Sequence, residues 1–113
     1  MGYLKGAIME QFKQIYRILS ILHTAMDLKE WDSKLLSPEA LGVSLPMWSR
    51  IMAILLKEGY IAGGEVWESF DVSYTKVKLV RPEITLKGLE YLEENSLMKK
   101  AGYMLKGHIH IVK

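Results

Sequence analysis

The stretch 44-SLPMWSRIMAILLKEGYI-61 decides the fold, because it begins with the pattern of a helix and ends with that of a strand. Ser44 is a typical N-cap residue, and Gly59 is placed to end the helix in the left-handed conformation that glycine adopts easily. Apolar residues spaced by threes and fours are predicted to face the core: Trp48, Ile51, Met52 and Leu55. Other residues are expected on the opposite side: Met47, Arg50, Ala53 and Lys57.

Two further helices are predicted before this stretch. Residues 4–28 read as one long helix with an apolar stripe, and residues 30–36 form a connection that could contain a short strand. The Ser-Pro-Glu sequence at 37–39 then opens a short helix that Gly42 ends. A short helix, a tight turn and a second helix together predict a helix-turn-helix.

A β-hairpin is predicted directly after the same stretch. Residues 60–70 and 74–80 have the composition and alternation of two paired strands. Gly63 and Gly64 favour a bulge or a close backbone approach within the first strand. We expect Pro82 to end the second strand, because proline lacks the N–H that a sheet ladder needs.

The C-terminal part of the chain is predicted to be helical. Thr85 is placed to cap a helix that runs from Leu86 to about Asn95, with Leu89 and Leu92 facing inward. A last helix is expected over residues 96–106, followed by an extended or loose tail.

These elements predict a single domain over residues 1–113. Residues 1–29 hold the long N-terminal helix, residues 37–81 the helix-turn-helix and its hairpin, and residues 85–106 the C-terminal helices. The fold class is therefore mostly α with a small antiparallel β-hairpin (α+β), and a hairpin behind a helix-turn-helix predicts a winged helix-turn-helix.

Two stretches resemble a known family. They are LGVSLPMWSRIMAILLKEGYIAGG and EITLKGLEYLEENS, and the second carries a pattern formed by Ile84, Thr85, Gly88, Tyr91 and Leu92. Both resemble the YjcQ-like proteins, small winged-helix proteins of Gram-positive bacteria and their phages, over roughly residues 40–106. The resemblance implies a winged helix, and it implies DNA binding only by analogy of fold.

Composition limits the classes of protein that fit. The chain has 113 residues, half of them apolar and a quarter charged, which is typical of a soluble globular protein. The formal net charge of +2 is too small to indicate nucleic-acid binding by itself. There is no cysteine, so we expect a reducing, cytoplasmic location. Charged residues interrupt the longest apolar segment, residues 1–29, so no membrane partner is expected.

Arg50 is the best candidate for reading DNA bases, because arginine pairs bidentately with guanine and a recognition helix presents its early residues to the major groove. A solvated arginine or a surface ion pair is the alternative. Lys76 and Lys78 are placed to contact phosphates, or instead to pair with acidic residues of the preceding strand. The full set of candidate DNA contacts is Ser44, Met47, Ser49, Arg50, Lys57, Lys76 and Lys78.

No catalytic motif is present in the sequence. It contains neither a legible nucleophile–base pair nor a phosphate-binding loop, so we expect no enzymatic activity and no cofactor. His108 and His110 alternate with isoleucines and would lie on one face of a strand. Two ligands are too few for a metal site, so a solvated tail is the simpler interpretation and no metal is expected.

The long N-terminal helix carries a second apolar set, which predicts a homodimer interface formed by Ile18, Ile21 and Ala25. The alternative is that a C-terminal helix folds back over this face through Leu97, Met98, Ala101, Met104 and Leu105.

Two functions follow from this interpretation. The first is a winged-helix DNA-binding protein, a small transcriptional regulator of bacterial or phage origin. The second is a protein–protein interaction module that keeps the fold without binding DNA. Lysines at 99, 100, 106 and 113 would separate the two, because they build a basic face only if they pack beside the third helix.

Overall fold

Four α-helices, one short 3-10 helix and one antiparallel hairpin make up the part of the chain that the structure describes. This computed structural model describes the backbone of residues 2–95 and the side chains of residues 8–95. In chain order the elements are α1 (Gly2–Ala25), the 3-10 helix (Ser33–Leu36), α2 (Pro38–Leu41), α3 (Leu45–Lys57), β1 (Ile61–Trp67), β2 (Lys76–Ile84) and α4 (Leu86–Glu94). The predicted α+β class is confirmed, and the arrangement is compatible with a winged helix-turn-helix. The predicted helix over residues 96–106 lies outside the described residues.

Local hydrogen bonds set the helix starts as the sequence predicted. In α2, α3 and α4 the hydroxyl of the capping residue accepts a hydrogen bond from a backbone N–H three residues on. These bonds join Ser37 to Ala40 at 3.1 Å, Ser44 to Met47 at 3.3 Å, and Thr85 to Gly88 at 3.1 Å.

Left-handed glycines terminate α2 and α3. Gly42 has φ +72° and Gly59 has φ +81°. Behind Gly59, the N–H of Tyr60 donates to the carbonyl of Leu55 at 2.9 Å, which satisfies an otherwise unpaired carbonyl of the last turn. The chain therefore leaves α3 in a fixed direction and enters β1.

The segment before α2 differs from the expectation of a strand. Helix α1 ends at Ala25, and residues Ser33–Leu36 form a 3-10 helix. Its start is fixed by the Asp32 carboxylate, which accepts from the N–H of Lys34 at 2.9 Å. The 3-10 turn buries Leu36, whose carbonyl accepts from the indole N–H of Trp48 at 2.6 Å. This segment therefore packs against α3 as a 3-10 helix and does not form the short strand that was considered.

The second strand continues past Pro82 to Ile84, so the expectation that Pro82 ends it was wrong. The register pairs Ala62 with Glu83 and Gly64 with Leu79, which leaves a bulge between them. Proline is tolerated at a bulge because the ladder is already interrupted there.

The predicted bulge depends on Gly63. Its φ of +90° disfavours any residue with a side chain, and a Cβ at this position would overlap the carbonyl oxygen of Arg81. The two strand ends that meet at this bulge, residues 61–64 and 79–84, are called the hairpin base below. Residues 68–75, which join the strands, are called the hairpin tip.

The core lies between α1, α3 and the hairpin base. Its buried side chains are Ile18, Leu19 and Leu22 from α1, Leu36, Leu41, Ile51, Met52 and Leu55, and Ile61 and Ile84 from the hairpin. Burying a side chain of this size contributes about 1.5–3 kcal/mol relative to leaving it exposed. Within residues 2–95, no helix has the length and apolar character needed to cross a membrane.

Helix α4 packs tightly against the start of the hairpin because Gly88 is buried. A Cβ at Gly88 would overlap the carbonyl of Tyr60 and the side chain of Ile84. Near it, the rings of Tyr60 and Tyr91 meet edge to face at 5.6 Å between centroids. Burial, and then the neighbouring Tyr60, raise the pKa of the Tyr91 hydroxyl. Gly88, the glycine of the Thr-x-x-Gly pattern, therefore allows α4 to pack closely against the start of the hairpin.

Candidate nucleic-acid interface

Helix α3 presents one side away from the core, and this side holds the main candidates for nucleic-acid contact. We call Arg50, Ile54 and Lys57 the outward stripe. Arg50 and Lys57 are exposed and lie two helical turns apart on the same side. Ser44 is exposed at the start of the helix, where its hydroxyl is already engaged in the cap. The stripe therefore offers two cations along one line.

Arg50 also contacts the hairpin. Its guanidinium carbon lies 5.8 Å from the centroid of the Tyr74 ring, and its Nη2 donates to the carbonyl of Ser73 at 3.5 Å. Both partners belong to the hairpin tip. The contact is long and exposed, so it restrains Arg50 only weakly and leaves guanidinium donors free.

Two residues of α3 differ from their expected positions. Ser49 is 2% exposed, so its assignment as a DNA contact was wrong. Ala53, expected on the outward side, is also buried at 4% exposure. The physical reason is that the hairpin covers the flank of α3: a Cβ at Gly64 would lie 2.9 Å from the Cδ1 of Leu56. Met47 is half-buried, and its sulfur accepts from the amide of Gln11 at 3.5 Å.

The two hairpin lysines have different surroundings. The ammonium of Lys76 lies 3.0 Å from the Asp71 carboxylate. Hydrogen bonds from Ser69 and Lys76 hold the pKa of Asp71 below its ordinary value, so this carboxylate stays ionised. Lys78 is opposite Glu65 in the register, is exposed, and has no ion pair within the described residues. Lys78 is therefore the more available cation.

Both the charge and the exposed apolar side chains of α3 and the hairpin limit what this face can bind. Residues 37–84 carry five basic side chains and six acidic ones. In addition, Ile54 on the outward stripe is 52% exposed, and Leu45 at the start of α3 is 51% exposed. The face is thus a mixture of a few cations and apolar side chains.

Arg17 positions the helix-turn-helix, a role that the sequence did not reveal. Its guanidinium donates to the carbonyls of Leu41 at 3.3 Å and Ala40 at 3.1 Å. The amide of Gln14 donates to the same Leu41 carbonyl at 3.3 Å. A cation at the C-terminal carbonyls of a helix is electrostatically favourable. Helix α2 is therefore tied to α1 at the point where the chain turns toward α3.

The predicted dimer residues lie in three different environments. Ile18 is 1% exposed and belongs to the core of its own chain, so its assignment to a dimer interface was wrong. Ile21 is half-buried and packs against the same core. Ala25 lines a cleft of about 520 Å³ between the end of α1 and β2. Helix α4, strand β2 and the 3-10 helix contact α1.

Metal binding has no support among the side chains of residues 8–95, where no three histidine, aspartate or glutamate residues lie close enough to share an ion. His108 and His110 lie outside the described residues. The same holds for the lysines at 99, 100, 106 and 113, and for the apolar residues Leu97, Met98, Ala101, Met104 and Leu105.

A capped helix pair followed by a hairpin, with an exposed stripe on its second helix, defines a small α+β protein compatible with the winged-helix class. The YjcQ protein family matches residues 16–109, and the chain belongs to that family. No curated protein and no solved structure matches it. The resemblance noted over residues 40–106 is confirmed, and the match reaches back into α1.

Proposed function

We propose that this chain is a non-enzymatic cytoplasmic protein that binds double-stranded DNA through α3, as a small transcriptional regulator. In this proposal α3 enters the major groove, Arg50 contacts a base edge, and Lys57 and Lys78 contact phosphates. Lys76 contributes less, because Asp71 already neutralises it.

The observation that carries the proposal is the placement of Arg50 and Lys57 on the outward stripe. Both are exposed and neither forms an ion pair within the described residues. Arg50 lies at the junction between α3 and the hairpin tip, where its guanidinium faces the Tyr74 ring.

An electrophoretic shift with random and with mixed-sequence duplex DNA, run across a salt series, tests the proposal. Two or three phosphate contacts predict a slope of roughly 2–3 in log K against log salt, since each contributes about 0.9. We expect Arg50→Ala with Lys57→Ala to abolish the shift, and Lys57→Ala alone to lower the slope by about 1. Arg50→Lys keeps the charge, so a loss of sequence preference in that variant would indicate base reading.

The matched control is Lys34→Ala. This lysine is exposed on the 3-10 helix, which packs on the inner side of α3 through the bond from Trp48 to Leu36. It should leave the shift unchanged. Equal weakening by Lys34→Ala and by the α3 variants would mean that only overall charge matters, and it would remove α3 as the DNA-contacting element.

A second candidate function is docking of a protein partner on the same face. The observation that favours it is the exposure of Ile54 and Leu45 beside an acidic hairpin, because apolar side chains at the centre of a stripe suit a protein interface better than a phosphate backbone. Ile54→Ser distinguishes the two functions. It should leave DNA binding within about threefold, but it should cost a protein interface tenfold or more.

A further inference from the structure

The hairpin tip exposes an aromatic side chain that residues 8–95, whose side chains the structure describes, do not cover. Phe70 is fully exposed, and Trp67 at the end of β1 is 44% exposed. The tip is nevertheless fixed by side-chain hydrogen bonds. Thr75 donates to Glu68 at 2.8 Å, and Ser69 and Lys76 both donate to Asp71. A protruding aromatic on a loop held by such bonds is the kind of side chain that anchors interfaces.

A cleft lies at the other end of the same hairpin. It has a volume of about 520 Å³, within the range of sites that take small molecules. It lies between the C-terminal end of α1, the loop after α1 and the hairpin base. Its apolar walls include Leu22, Met26, Leu28, Trp31, Val80 and Ile84. The walls and volume suit an aromatic ring.

The charges of the two ends are complementary. Lys29 and Arg81 line the cleft, and neither has an ion pair within the described residues. Glu83 lines it too, which leaves a net charge of one positive. Residues 65–78 around the tip carry three acidic side chains and two lysines, a net charge of one negative. Lys76 pairs with Asp71 and Lys78 is opposite Glu65, which leaves Glu68 without a cationic partner among the described residues. The tip, with its negative charge and its exposed Phe70, therefore complements the cleft, which has a positive charge and apolar walls.

We propose that the chain forms a two-fold dimer in which Phe70 of each copy enters the cleft of the other. The tip and the cleft are at opposite ends of one hairpin, so a single copy cannot bring them together. Two hairpins side by side and antiparallel place each tip at the base of the other, and the same contact then forms twice. Such isologous pairing is the commonest way in which identical chains associate.

This dimer uses a different surface from the one predicted from the sequence. Ala25 lines the proposed cleft, whereas Ile18 lies in the core. The competing surface is the part of α1 around residues 8–12, where Ile8 is 55% and Phe12 is 43% exposed. The test must therefore separate Phe70 from Phe12.

Sedimentation equilibrium of the full chain, from low micromolar to near-millimolar concentration, makes that separation. We expect a dimer for the wild type, at least a tenfold weaker dimer for Phe70→Ser, and no change for Phe12→Ser. Both positions are exposed, so both variants should fold. A wild-type monomer over the whole range would overturn the proposal, and so would a dimer that depends on Phe12 and not on Phe70.

A charge exchange tests the pairing directly. Lys29→Glu and Glu68→Lys should each weaken the dimer roughly tenfold, because the altered contact occurs twice. The double variant restores attraction between copies and should recover most of the loss. Glu83→Gln should tighten the dimer, since it removes the one negative charge of the cleft. Single losses without recovery in the double variant would show that the tip of one copy does not meet the cleft of another.

Discussion

The base and the tip of the hairpin are stabilised in different ways. At the base, Ile61 and Ile84 are buried in the core, and Gly63 allows the backbones to approach closely. At the tip every residue is exposed or half-exposed, and side-chain hydrogen bonds hold the loop. Burial therefore places the stability of the domain at the base. The tip is left free to contact a partner, and substitutions at the two ends should have very different costs.

Gly63→Ala should have the largest effect. It places a side chain at φ +90° and drives its Cβ into the backbone of Arg81. We expect a loss of about 2–4 kcal/mol in the free energy of unfolding, measured by urea denaturation. Gly59→Ala is the control, because nothing lies within 4 Å of a Cβ there and only the cost of φ +81° remains. Its loss should be about 1–2 kcal/mol. Equal losses would mean that the close approach at the base is unimportant.

Thr85→Ala should have an intermediate effect. The hydroxyl of Thr85 caps α4 and also donates to the carbonyl of Gly59 at 2.6 Å, so it joins α4 to the end of α3. We expect a loss of about 1–2 kcal/mol, measured by thermal unfolding. Thr75→Ala at the tip removes a hydrogen bond to Glu68 at an exposed position and should cost at most about 0.5 kcal/mol. A larger loss from Thr75→Ala than from Thr85→Ala would contradict the contrast between base and tip.

The smallest effect should be acid loosening of the tip. Hydrogen bonds from Ser69 and Lys76 lower the pKa of Asp71 in the folded chain below its ordinary value of 3.8. A lowered folded pKa means that the stabilisation is complete well above pH 3.8 and is lost as the pH falls through the folded value. NMR titration should show amide shifts at the tip in this range while the base is unchanged. Asp71→Asn should remove the transition, and its persistence there would assign it to another group.

Much of the fold could be predicted from residues that act within one or two turns. Ser37, Ser44 and Thr85 mark helix starts because their hydroxyls bond to an N–H three residues away. The glycines at 42 and 59 mark helix ends for an equally local reason. The wrong assignments concern residues whose burial depends on a distant part of the chain. Ser49 and Ala53 lie off the inward face by helical period, but the hairpin covers that flank of α3.

The candidate site was predicted in part. Arg50, Lys57 and Lys78 are exposed as expected, because charged residues on an amphipathic helix or hairpin face water by pattern alone. The pairing of Lys76 with Asp71 depends on how the tip folds, although the sequence already offered acidic partners on the hairpin. Arg17 showed no signal, since its partners Ala40 and Leu41 are carbonyls of another helix.

The sequence by itself determined the main helices and the hairpin, the helix caps and the family of this protein. Those features depend on hydrogen bonds and on apolar spacings that span only a few residues. The residues that identify the family belong to the same local patterns. Tertiary structure decided which faces are covered, that Pro82 lies inside a strand, and that a basic cleft and an acidic tip occupy opposite ends of one hairpin. These depend on contacts between segments far apart in the chain, such as Leu22 and Ile84, which line the same cleft. No local pattern records such distances.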